Sequence, residues 1–364
     1  MTPGQWGRAP RAHRLGGKSG AKWGPRRSSR IGVLVTLSRE SAPTTSAPSG
    51  DLEHVVAVGG ALAAAMNGVI EGKPEVVRTA VTVLLAEGHL LVEDVPGVGK
   101  TMLAKALARS IDASARRVQF TPDLLPSDIT GVSIYNQETR EFEFRPGAVF
   151  AHVVVGDEIN RASPKAQSAL LECMEEAQVT VDGHTYELPH PFIIMATQNP
   201  VEMEGTYPLP EAQRDRFMAR LSMGYPTPTA ELDMLDHHGA RSPLEDLRPV
   251  TDAEGISRLI RAVRTVHASP AVRQYVVDLA AATRQHSMIR LGASPRATLH
   301  LLRAGRAHAA LAGRDHVLPD DIQALARVVL EHRLLLSSEA QLARRSAGEV
   351  VAEIVHRTRV PASR

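Results

Sequence analysis

The stretch Glu93-Asp94-Val95-Pro96-Gly97-Val98-Gly99-Lys100-Thr101 constrains this chain more than any other. It follows a short apolar run at 89–93 and precedes an apolar-periodic run at 102–111, so it reads as the loop between a strand and a helix. In that setting glycines let backbone N–H groups turn inward without a Cβ clash, and the helix N-terminus adds the positive end of its dipole. Such a loop cradles phosphate. Lys100 supplies a mobile cation for β- and γ-phosphates, and the Thr101 hydroxyl is suited to ligate Mg²⁺. The residues expected around a nucleotide are Asp94, Val95, Pro96, Gly97, Val98, Gly99, Lys100, Thr101 and Met102. The pattern G-x-x-x-x-G-K-[ST] asks for glycine at position 94, where this chain carries Asp94.

Further along, Val153-Val154-Val155-Gly156-Asp157-Glu158 is an apolar run delivering two carboxylates at its C-terminal end, where ligands bind in open α/β sheets. Asp157 is suited to hold Mg²⁺ through its water shell. Glu158 is suited to orient and deprotonate a water for in-line displacement at a γ-phosphate. Ala196-Thr197-Gln198-Asn199-Pro200 closes another apolar run with amides, and Asn199 is a candidate to help hold that water. Singly, an Asp-Glu pair is more often a helix N-terminal charge, and an Asn-Pro a turn. Their order decides: phosphate loop, acidic pair, polar strand end, each on its own strand. That sequence of features points to hydrolysis of ATP with Mg²⁺.

The other apolar runs set the fold class as α/β, a parallel sheet covered on both faces followed by a small all-α lid. Runs at 89–93, 117–120, 151–156 and 192–197 read as strands, and 52–69, 74–85 and 102–111 as helices. Residues 131–135 and 141–144 alternate like a hairpin. A second hairpin is signalled by 179–181 and 186–188 around Asp182-Gly183, with a connection longer than two residues. After Pro226 and Pro228 no sheet strand is evident, and 230–238, 253–268, 271–286, 296–312 and 319–334 read as helices. The expected organisation is a disordered basic tail over 1–50, a nucleotide-binding αβα core over 51–228, a helical lid over 229–335, and a C-terminal helix or tail over 336–364.

Charge is unevenly spread. Of 42 Lys and Arg and 40 Asp and Glu, residues 1–50 take nine and one, leaving a mildly acidic body with 33 and 39. That body lacks a phosphate-backbone footprint, and 4% aromatic content leaves few platforms for stacking bases, so nucleic acid is not an expected partner. Cys173 is the single cysteine, which excludes an internal disulfide and fits a reducing, cytoplasmic setting. No run approaches the roughly 20 apolar residues of a transmembrane helix. Arg26-Arg27 precedes only seven apolar residues, 31–37, too short for an export signal.

Two arginines stand out. Arg216, in Leu209-Pro210-Glu211-Ala212-Gln213-Arg214-Asp215-Arg216-Phe217, is a candidate finger toward a neighbouring subunit's γ-phosphate. Ser294-Pro295-Arg296 reads as N-cap, first helical residue and a first-turn cation that opposes the helix dipole, so Arg296 calls for an anionic partner.

These segments resemble the MoxR family of AAA+ ATPases, from about residue 55 to about residue 334. The resemblance rests on Leu91 to Thr101, on Asp157-Glu158-Ile159-Asn160-Arg161-Ala162, on Ala196 to Pro200, and on Gly205-Thr206-Tyr207-Pro208-Leu209-Pro210-Glu211-Ala212-Gln213. Asp at position 94 is tolerated in that family. The resemblance implies an AAA+ fold, Walker A at 97–101, Walker B at Asp157 and Glu158, sensor I at Asn199, the arginine finger at Arg216 and sensor II at Arg296. It also implies a homo-oligomeric, hexameric ring and a chaperone-like role on protein clients, among them proteins with a von Willebrand factor A domain. Gly156 and Arg214 depart from the common alanine and aliphatic residue at those positions. Two other readings compete: a nucleic-acid remodeller or transcription regulator, which needs a basic channel, and a magnesium-chelatase-like subunit. No histidine pair at metal-ligand spacing is joined by a cysteine or a consistent acid, so His237-His238 reads as surface, which weighs against direct metal catalysis.

Overall fold

Valine-rich runs without a polar face are stable only when both faces are covered. The computed structural model, which describes residues 49–95, 97–199, 206–229, 231–232 and 243–361, supplies that cover. In chain order the first elements are helices α1 (Ser49–Asn67) and α2 (Pro74–Leu85), strand β1 (Leu90–Glu93), helix α3 (Lys100–Ser110), strand β2 (Ala115–Gln119) and helix α4 (Pro126–Thr130). They continue with β3 (Gly131–Asn136), β4 (Glu141–Pro146), β5 (Val153–Asp157), α5 (Pro164–Glu176), β6 (Gln178–Val181), β7 (His184–Glu187), β8 (Ile193–Gln198), α6 (Glu211–Arg214) and β9 (Ala219–Leu221). Five strands form one parallel sheet in the order β2-β5-β8-β1-β9. Register sets Gln119 opposite Asp157 and Glu93 opposite Gln198, so the C-terminal ends of four strands share one edge.

The pleat divides the core in two. Leu90, Val92, Val153, Val155, Ile193 and Met195 face α1, α2 and α3, while Leu91, Val154, Ile194 and Ala196 face α5 and the neighbourhood of the hairpins. Each of the larger side chains among them contributes on the order of 1.5–3 kcal/mol, and Ala196 less. The first cluster runs on without a break into the helices that follow, α7 (Pro243–Asp246), α8 (Ala253–Arg264), α9 (Pro270–Gln285), α10 (Pro295–Leu311), α11 (Pro319–Leu330) and, beyond the short α12 (Ser338–Leu342), α13 (Ala347–Arg357). Helix starts are encoded locally. Ser163-Pro164, Ser269-Pro270 and Ser294-Pro295 each place a hydroxyl on the N–H three residues on, with proline where no donor is needed.

Three expectations are corrected. The β6–β7 connection is two residues, Asp182-Gly183, both at positive φ (51° and 79°), because His184 and Thr185 join the ladder despite their polarity. Strand β9 has no counterpart in the sequence reading: it is three residues long and centred on Arg220, whose charge is met by Glu93 at 2.7 Å and Glu331 at 2.9 Å. The helical region is not purely α, since β10 (Ile289–Leu291) pairs antiparallel with β11 (Leu335–Leu336). The tail over 1–48, most of the helix expected at 230–238, and His237-His238 lie outside the described residues; positions 49 and 50 begin α1.

Candidate functional site

Gly97 and Gly99 adopt φ of +85° and +90°, which side chains disfavour, and a Cβ on Gly97 would meet nothing within 4 Å. The loop therefore turns through open space before α3 begins at Lys100. Pro96 lies outside the described residues. Lys100 Nζ donates to the Asp94 carbonyl at 2.7 Å, folded back over its own loop. The Asp94 carboxylate accepts from Val95 N at 3.0 Å, Ser222 Oγ at 3.0 Å and Gly224 N at 2.6 Å. Partial burial works to raise its pKa, and these donors outweigh that and hold it below the ordinary carboxylate value. An aspartate at the usual glycine position thus clamps the segment after β9 onto the phosphate loop. Val98 packs against the main core, and Met102 joins it from the first turn of α3.

The acidic pair lies beside this loop. Thr101 Oγ1 approaches both Asp157 oxygens, at 3.4 and 3.2 Å. Thr197, at the end of β8, accepts the Glu158 N–H at 3.1 Å and donates to Asp157 Oδ1 at 3.2 Å. Glu158 sits in the left-handed region, φ 59° and ψ 47°, a strained position for a residue with a side chain. Its carboxylate meets Gln119 Nε2 at 3.2 Å and Arg161 Nε at 2.9 Å. Asn199 is buried, and its carbonyl accepts from Asn160 Nδ2 at 3.4 Å. On Asp157 Oδ2 rests Arg117 Nε, at 2.5 Å.

Lys100, Thr101, Asp157, Glu158 and Asn199 therefore share one sheet edge, whereas the two arginines belong to a different cluster. Arg216 donates to the Leu171 carbonyl and pairs with Glu175 at 3.6 Å. Arg296 pairs with the same Glu175 at 2.5 Å and with Asp215 at 3.6 Å. Asp215 also accepts from Ser294 Oγ at 2.8 Å and from the buried Arg333 at 2.9 Å. Among the described residues, neither arginine touches the phosphate loop or the acidic pair. The sequence reading assigns no site role to Arg117, Gln119, Thr197, Glu175 or Asp215. Arg117 and Gln119 carried a usable signal, polar residues two apart on a strand whose end faces the acids.

The donor set fits a magnesium nucleotide. Thr101 and Asp157 offer hard oxygens within 3.4 Å of one another, of the kind Mg²⁺ takes, beside Gly97, whose surroundings are open, and a helix N-terminus. Among the described residues, no cluster of three or more His, Cys, Asp and Glu is placed to hold a metal by itself.

Comparison with known proteins matches both parts of the chain. Residues 89–219 match the family described as ATPase family associated with various cellular activities (AAA), and residues 281–354 match an AAA lid domain. The chain is 53% identical to "Uncharacterized protein YeaC" of Bacillus subtilis, over 82% of this chain and 93% of that one. It is 40% identical to Chaperone MoxR1 of Mycobacterium tuberculosis, over 89% and 87%. The crystal structure of a candidate ATPase from Cytophaga hutchinsonii superposes with a TM-score of 0.80 at 35% identity, covering 86% of this chain and 98% of that one. By lineage and by architecture, the chain belongs to the MoxR family of AAA+ ATPases.

Proposed function

We propose that this chain hydrolyses ATP at the subunit interfaces of a hexameric ring and uses the cycle, in the cytoplasm, to remodel or activate protein clients, among them proteins with a von Willebrand factor A domain. The observation that carries the ATPase part is the contact of Thr101 with Asp157, 3.2 Å, which joins the phosphate loop to the acidic strand end. Lys100 turns from the Asp94 carbonyl to the β- and γ-phosphates. Thr101 and Asp157 hold Mg²⁺, which neutralises phosphate charge when bound. Glu158 accepts the proton of the attacking water, and Asn199 helps to position that water. Arg216 and Arg296 stabilise phosphate charge, Arg216 across the interface.

The client-directed part is supported by the family and by the β3–β4 hairpin. That hairpin exposes Val132, Ile134, Tyr135 and Phe142, the last at 74%, an apolar surface out of keeping with a purely structural turn. Phe144 stacks on Tyr186 of β7 with ring centroids 4.0 Å apart, so the two hairpins are in contact. The test is Glu158→Gln, which binds ATP and turns it over at least a hundredfold more slowly than the natural chain, a loss typical for a general base. Proteins held by that variant in ATP identify the client, and near-normal turnover in it removes Glu158 from the role of base.

A further inference from the structure

Asp157 is held by three side-chain donors in this structure, from Thr197, Thr101 and Arg117. Oδ1 accepts from the Thr197 and Thr101 hydroxyls at 3.2 and 3.4 Å, and Oδ2 from Thr101 at 3.2 Å and Arg117 Nε at 2.5 Å. Arg117 stands on β2, the edge strand of the sheet, two residues before Gln119, which lies opposite Asp157. Gln119 Oε1 accepts from Arg117 Nη2 at 3.1 Å and fixes the plane of the guanidinium. The pair is asymmetric: the Asp157 side chain is 7% exposed and that of Arg117 is 54% exposed.

That asymmetry has a chemical meaning. A buried carboxylate without a counter-cation is costly, so a positive charge beside Asp157 is favoured even with the two threonine hydroxyls in place. A guanidinium and Mg²⁺ on one carboxylate repel each other, so only one of them satisfies it. The exposed arginine retreats into water at little cost, whereas the carboxylate stays where β5 puts it. We propose that Arg117 is the resident counter-cation of Asp157, exchanged for Mg²⁺ as nucleotide loads, and that it thereby sets the Mg²⁺ concentration the site requires. The idea rests on the ATP-binding reading above.

The test is a Mg²⁺ titration of the full chain with a fluorescent, non-hydrolysable ATP analogue, starting in excess EDTA. Arg117→Gln removes the competitor, and half-saturation falls roughly two- to fivefold in Mg²⁺, the scale of a half-exposed ion pair. Affinity for the analogue in EDTA stays at the natural value, and Arg117→Lys, which keeps a cation, stays close to the natural midpoint. An unchanged or raised midpoint in Arg117→Gln overturns the exchange. So does weaker binding in EDTA, which makes Arg117 a direct phosphate contact. Absence of binding by the natural chain at every Mg²⁺ concentration overturns the ATP-binding reading itself, and the exchange with it.

Discussion

The Gly224 N–H donates to the Asp94 carboxylate at 2.6 Å, tying the segment that leaves β9 to the loop that leaves β1. Both strands end at the edge where the phosphate loop begins, so this bond fixes the loop against a second point of the chain. Asp94→Ala removes that bond together with those from Ser222 and Val95. Nucleotide affinity should then fall by roughly tenfold, the equivalent of one to two net hydrogen bonds. Asp94→Asn, which keeps an acceptor oxygen, loses less. Equilibrium titration with labelled ATP separates the two variants, and equal affinity in all three chains would show that the clamp does not shape the loop.

If Arg216 acts across an interface, activity lost in two different variants returns when they are mixed. Arg216→Ala lacks the finger and Glu158→Gln lacks the base, so each alone turns over slowly, by a factor of about a thousand for the arginine. In a mixed ring, an intact Glu158 from one subunit faces an intact Arg216 from the next. Turnover rising above the sum of the separate variants is the expected result. A strictly additive mixture would place Arg216 on its own subunit's nucleotide or nowhere near one.

Gly156 precedes the acidic pair inside a fully buried strand. A Cβ there would stand 3.0 Å from Phe120, 3.6 Å from Leu170 and 3.8 Å from the Ala196 Cα. Alanine is absorbed by a small tilt of the Phe120 ring, at less than about 1 kcal/mol. Valine adds two further methyls to a closed layer and costs about 1–3 kcal/mol. Urea unfolding of the two variants measures the difference, and equal midpoints would mean that the layer around β5 has room the distances deny.

What the sequence revealed, and what it hid, follows from how far each interaction reaches along the chain. The phosphate loop and the acids at 157 and 158 were legible because their chemistry dictates residue types at short spacing. The contact of Arg117 with Asp157 spans 40 residues and exists only because β2 and β5 pair in one register, which no local pattern fixes. Glu175 was invisible for the same reason: Arg216 and Arg296 reach it from two distant segments. The Asp182-Gly183 turn was visible, yet the polar His184 and Thr185 after it concealed the strand, because β7 is exposed along most of its length and needs no apolar alternation of its own. Strand β9 escaped because Arg220 interrupts its apolar pattern, and the two acids that accommodate it come from residues 93 and 331.

Two buried histidines, His89 and His332, and the half-buried His300 lie where the sheet meets the helices that follow it. His89 donates from Nε2 to the Met174 carbonyl and accepts the Ile194 N–H at Nδ1, which fixes a neutral tautomer. Burial pushes its pKa down to about 4, opposed by the Met174 carbonyl and aided by Arg303. Burial and then Arg333 push His300 down to about 2, and burial with Arg333 holds His332 well below the ordinary value. Unfolded histidine titrates near 6.5. Between that value and about 4 the unfolded chain therefore binds protons that the folded chain refuses, and stability falls as pH falls. Above about pH 7 the three contribute no slope. At pH 5.5 the three together remove on the order of a few kcal/mol relative to pH 7.5. Urea midpoints at the two pH values read this directly, and His89→Gln should flatten part of the dependence. A chain equally stable at both values would mean that these imidazoles take up protons without leaving the fold.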